Sequence, residues 1–166
     1  MNRLVAFILL VALVLEPTGA RATERVLLMG DSQAFLLQDD LAPLVRRAGH
    51  VFSAVPVAGS TVIQWAEPKN SRWDITKQWQ LVFQFRPTII LLSLGSNDAY
   101  MGCRIIANEP PYLERLVKRL KRTGCRQVIW LTPPQLAKAK GGLECFNRML
   151  QAAHQQVYDG RELEGM

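Results

Sequence analysis

The chain is built from short, continuously apolar runs separated by longer amphipathic ones, and this alternation restricts its fold more than any other feature. Residues 26–29, 51–57, 88–94 and 127–132 read as strands that are continuously rather than alternately apolar, with few polar residues among them, unlike the one-in-two alternation of a half-solvated sheet. Such strands belong in a parallel sheet covered on both faces by the intervening helices. The intervening segments fit: residues 32–48 read as a helix with a possible break at Pro43. A second helix reads from Asp74, as its cap, to Phe85; a third spans 112–123 with Pro111 in its first turn; a fourth spans 143–156. Residues 157–159 read as the start of a fifth strand, and 133–142 as a loop. The expected fold is therefore α/β.

In such sheets ligands bind beyond the carboxyl ends of the strands. Residues just after a strand lie at that pole, and residues just before one lie at the opposite pole. Three polar clusters directly follow strands: Gly30-Asp31-Ser32, Ala58-Gly59-Ser60 and Gly95-Ser96-Asn97-Asp98. Singly, each has a structural explanation: a serine that caps a helix, a turn glycine, an Asn-Asp loop. Together they supply the parts of an acyl-transfer site. Ser32 at a helix start offers a hydroxyl nucleophile and its own N–H, Gly59 an unobstructed N–H, and Asn97 a side-chain amide, three donors for a developing oxyanion.

The segments "GDSQA" (30–34), "VAGST" (57–61) and "LGSND" (94–98), in that order after the first three strands, resemble the first three sequence blocks of the SGNH (GDSL-type) hydrolases. The resemblance extends over about residues 26–159. It implies a flavodoxin-like three-layer α/β/α sandwich with a five-stranded parallel sheet. It also implies an esterase or lipase activity on lipid or acylated-carbohydrate esters. Carried over by position, Ser32 matches the nucleophile and first oxyanion donor, Gly59 the second donor and Asn97 the third. No metal or organic cofactor is implied. "GDSQA" also half-fits the nucleophile elbow G-x-S-x-G, but that motif belongs to a fold in which several strands precede the serine.

The family's fourth block, an Asp-x-x-His beyond the fifth strand, is not found. Only His50 and His154 occur, both just before strands and so at the pole opposite Ser32. Without a base, a serine hydroxyl stays protonated at neutral pH and attacks poorly. The chain therefore reads as a serine hydrolase shortened at its carboxyl end or, alternatively, as a non-catalytic binding domain that keeps the pocket. A nucleotide-binding reading lacks a glycine-rich phosphate loop after the first strand.

Residues 1–22 read as a signal peptide: Arg3, an apolar run of residues 4–15, then Ala20-Arg21-Ala22 as a cleavage site. The run is shorter than the roughly 20 residues a membrane span needs. The remaining domain, residues 23–166, would be periplasmic or secreted. Export permits disulfides. Of Cys103, Cys125 and Cys145, the pair Cys103–Cys145 falls near one pole and Cys125 at the other. Removing Arg3, Arg21 and Glu16 from 20 basic and 14 acidic residues leaves 18 against 13, or +5. Much of this charge alternates with Leu113, Leu116, Val117 and Leu120 and reads as the solvated face of a helix. No aromatic side chains interleave with it as a single-strand nucleic-acid platform requires. The expected partner is a small-molecule or glycan ester.

Overall fold

A computed structural model describes residues 22–70, 73–131 and 140–158. Four parallel strands, β1 (Arg25–Gly30), β2 (Val51–Pro56), β3 (Ile89–Ser93) and β4 (Gln127–Trp130), form one sheet in the order β2-β1-β3-β4. That order is compatible with a flavodoxin-like fold. The helices are α1 (Ser32–Arg47), α2 (Val62–Ala66), α3 (Trp73–Phe85), α4 (Ser96–Met101), α5 (Cys103–Ile106), α6 (Pro110–Lys121) and α7 (Lys140–Tyr158).

The pleat sorts the apolar strand residues into two cores. Val26 and Leu28 of β1 and Ile89 and Leu91 of β3 pack with Ala34, Leu41 and Val45 of α1. Leu27, Met29, Ile90 and Leu92 face the other way, toward Trp65 of α2, Trp79 of α3, Leu116 of α6 and Phe146 of α7. Burial on both faces is the reason residues 26–29 of β1 and 89–92 of β3 are all apolar.

Several expectations are revised. The sheet has four strands among the described residues, not five, because Val157 and Tyr158 continue α7. No glycine or proline interrupts the sequence between Leu143 and Tyr158. Extending an existing helix by a residue costs far less than starting a new element. Asp74 does not precede α3 but lies in its first turn, where its carboxylate accepts the Ile75 N–H at 2.9 Å. α1 runs through Pro43 unbroken. The short helices α2, α4 and α5 lie in stretches to which the sequence assigns no helix or strand. The signal peptide, apart from Ala22, and most of the 133–142 loop lie outside the described residues. Among the described residues no helix is long and apolar enough to cross a membrane.

The α6 face matches its expected division: Leu113, Leu116 and Leu120 are buried, while Arg115 pairs with Glu67 and Lys118 with Glu114. Cys103 and Cys145 form a disulfide with Cα atoms 5.5 Å apart, joining α5 to α7. Cys125 is a half-buried free thiol.

Candidate functional site

Each strand end delivers its polar cluster to the carboxyl pole, and hydrogen bonds tie the three clusters to one another. β1 lies between β2 and β3, with Gly30 paired to Pro56 on one side and Ser93 on the other. The ladder continues past the strands: the Val57 N–H donates to the Gly30 carbonyl at 2.8 Å and the Asp31 N–H to the Ser93 carbonyl at 2.9 Å. Gly30 has a φ of +152°, and a Cβ there would lie 1.7 Å from the Ser93 carbonyl oxygen. Only glycine lets the chain turn so close to β3.

The serine of "GDSQA" does not cap the helix it begins. Asp31 is the cap, its carboxylate accepting the Gln33 N–H at 2.9 Å, and Ser32 is the first helical residue. The other Asp31 oxygen accepts the buried Ser96 N–H at 3.2 Å. Burial pushes the Asp31 carboxyl above its ordinary range, against the pull of these N–H bonds. With capping assigned to Asp31, the half-buried Ser32 hydroxyl has no hydrogen-bond partner among the described residues. The Ser32 N–H is one of those a helix start leaves without an intrahelical acceptor.

Gly59 lies exposed in the turn after β2 with φ +73°. The next residue, Ser60, is buried and anchors the turn: its hydroxyl accepts from the Trp65 indole N–H at 2.9 Å and reaches the Gly30 carbonyl at 3.4 Å. Trp65 is fully buried in the core, so it packs beneath the loop and does not line a pocket. Tyr100, the other aromatic near a strand end, is 53% exposed.

Asn97 donates one amide hydrogen to the Ser60 carbonyl at 2.9 Å. That bond fixes the plane of the amide and leaves its second hydrogen available. Asp98 is fully buried and accepts the Val62 N–H at 3.0 Å, holding the start of α2 against α4. α2 is also closed by a capping box between Thr61 and Gln64.

Sequence reading missed the structural roles of Asp31 and Asp98 and passed over Glu109 altogether. An acidic residue directly before Pro110-Pro111 is a helix-start signal, but nothing local shows that Glu109 is completely buried. His50 sits at the far pole, its Nδ1 accepting the Glu24 N–H at 3.2 Å just before β1. The His154 side chain lies outside those described. Among the described residues no three His, Cys, Asp or Glu side chains gather in a way that could hold a metal ion.

Compared with known proteins, the chain matches no family model and no curated sequence.

Proposed function

We propose that the carboxyl pole is the nucleophile and oxyanion half of a serine acyl-transfer site of the SGNH type, acting on esters. The observation that carries this reading is the division of labour between Asp31 and Ser32: the aspartate takes the cap and leaves the serine hydroxyl unengaged at a helix start. Ser32 Oγ would attack the ester carbonyl. The carbonyl oxygen, as it gains charge, would be met by the Ser32 and Gly59 N–H groups and the second Asn97 amide hydrogen. Collapse would expel the alcohol and leave the acyl group on Ser32, and water would then release the acid.

The apolar surroundings suit an acyl chain. Phe35 and Leu36, three and four residues after Ser32 and so on its helix face, are 44% and 69% exposed. Tyr100 and Met101, at the same spacing after Asn97, are also exposed. The Cys103–Cys145 disulfide suits an exported protein.

A second reading, a binding domain that retains esters without turning them over, is favoured by the position of His50 at the opposite pole. Serine hydrolases stripped of a triad member keep roughly 10³–10⁴-fold acceleration over water from the oxyanion hole and binding. A fluorophosphonate probe separates the two readings. Slow labelling that disappears in Ser32→Ala supports acyl transfer, whereas equal labelling of both forms, or none over days, rejects it.

A further inference from the structure

Asp98 and Glu109 are both fully buried, and among the described residues neither pairs with a basic side chain. One Asp98 oxygen accepts the Val62 N–H, while its other oxygen and both Glu109 oxygens find no donor among the described residues. The two carboxyls lie within hydrogen-bond reach of each other, and if both were ionised two charges would stand uncompensated in a low-dielectric interior, which is strongly unfavourable. A single proton resolves this, because a protonated carboxyl can donate to its ionised neighbour.

We propose that Asp98 and Glu109 share one proton and that this acid–carboxylate pair is a latch fixing α4, and with it the Asn97 amide, against the starts of α2 and α6. Asp98 follows Asn97 directly and holds the first N–H of α2. Glu109 is the cap residue of α6 and makes no side-chain cap bond to that helix, so its carboxyl is free to face Asp98. Three helix starts therefore meet at one proton. The role assigned to Asn97 rests on the acyl-transfer reading; the latch itself does not.

The surrounding charges do not supply an alternative partner. α2 has no ionisable side chain, and Glu67 beyond it pairs with Arg115 of α6. On α6, Glu114 pairs with Lys118, and Arg119 lies over the Trp79 ring. Arg104 of α5 and Glu144 and Arg148 of α7 are exposed. The charge of Asp98 acts on Asp31, which is an acid of the same sign and no partner for it. Burial, then the hydrogen bond and charge of Asp98, hold the Glu109 carboxyl up at about 9.

The sign of the pH effect follows. Glu109 binds its proton more tightly in the folded chain than in the unfolded one, so its contribution to stability is complete below its ordinary pKa of 4.5 and is lost as pH rises toward about 9. The experiment is thermal unfolding of the full chain and of Glu109→Gln from about pH 5 to 10. The glutamine amide can donate to Asp98 at every pH. We expect the difference between the two melting profiles to grow steadily with pH, by at least about 4 °C, and to level off above about 9. Amide exchange at Val62 should show protection lost with rising pH in the wild type and kept in Glu109→Gln. Parallel profiles would overturn the latch, as would a melting shift of the wild type on adding calcium or chelator, which would put a cation in place of the proton. Divergent profiles without any fluorophosphonate labelling would support the latch and reject the acyl-transfer reading.

Discussion

The Asp31 carboxylate reaches the Ser96 N–H at 3.2 Å across 65 residues of sequence, while its other oxygen caps α1. One side chain thereby sets both the helix start that carries Ser32 and the helix start that carries Asn97. Asp31→Ala would lose a cap, worth about 1 kcal/mol, and leave a buried N–H unsatisfied, at about 1–3 kcal/mol. A loss of about 2–4 kcal/mol in urea unfolding is expected, with Asp31→Asn intermediate because it can keep the cap.

Asn97→Ala should separate stability from chemistry. The bond to Ser60 is a single neutral hydrogen bond, so unfolding should change by about 0.5–1.5 kcal/mol. Removal of one oxyanion donor should slow phosphonate labelling by about 10²–10³-fold. Labelling slowed only in proportion to the stability change would remove Asn97 from the reacting centre.

The exposed apolar residues beside Ser32 bear on the acyl part. Leu36→Gln should weaken labelling by a long-alkyl phosphonate by about 1–2 kcal/mol, or roughly 5–30-fold, and leave a short-alkyl probe unchanged. Equal effects on both probes would place the acyl chain elsewhere.

The Cys103–Cys145 bridge closes a loop across a sequence separation of 42. Chain-entropy arithmetic for a loop of that length gives about 4 kcal/mol. Reduction, or Cys103→Ser with Cys145→Ser, should lower the melting temperature by roughly 8–16 °C. α7 should loosen first, because the bridge is its covalent tie to α5.

Glu24 titrates in the opposite sense to Glu109. Hydrogen bonds from Arg126 and Thr88 hold its carboxyl below the ordinary carboxylate range. Its contribution is therefore present above pH 4.5 and is lost as pH falls through the lowered value. Glu24→Gln should lower the melting temperature by a constant amount above pH 4.5 and flatten the acid side of the profile, where the wild type loses that contribution as well.

The sheet and the polar clusters at its carboxyl pole were legible because the signal is continuous: the central strands are almost wholly apolar, and the turn to Gly-Asp-Ser or Gly-Ser-Asn is abrupt. α2 and α4 were not, because at five and six residues neither carries a full period of hydrophobic pattern. α2 is held by the Thr61–Gln64 box and by Asp98, which comes from 36 residues away. The fifth strand was misread because two apolar residues suit a helix end as well as a strand start. The partner of Glu109 is a tertiary fact, set by a helix start that the sequence marks only with two prolines.

The strand order also governs when the site can come into being. As the chain emerges from the ribosome, β1 and α1 are made first, yet β1 is an inner strand and its second neighbour, β3, ends at Ser93. Until that strand is made, the Asp31 N–H has no Ser93 carbonyl and its carboxylate no Ser96 N–H. The nascent amino-terminal third can pair β1 with β2, but it leaves an apolar strand edge unmatched, the state most open to wrong pairing. Ser32 is synthesised early and positioned late, so no chain that ends before Ser96 carries an assembled site.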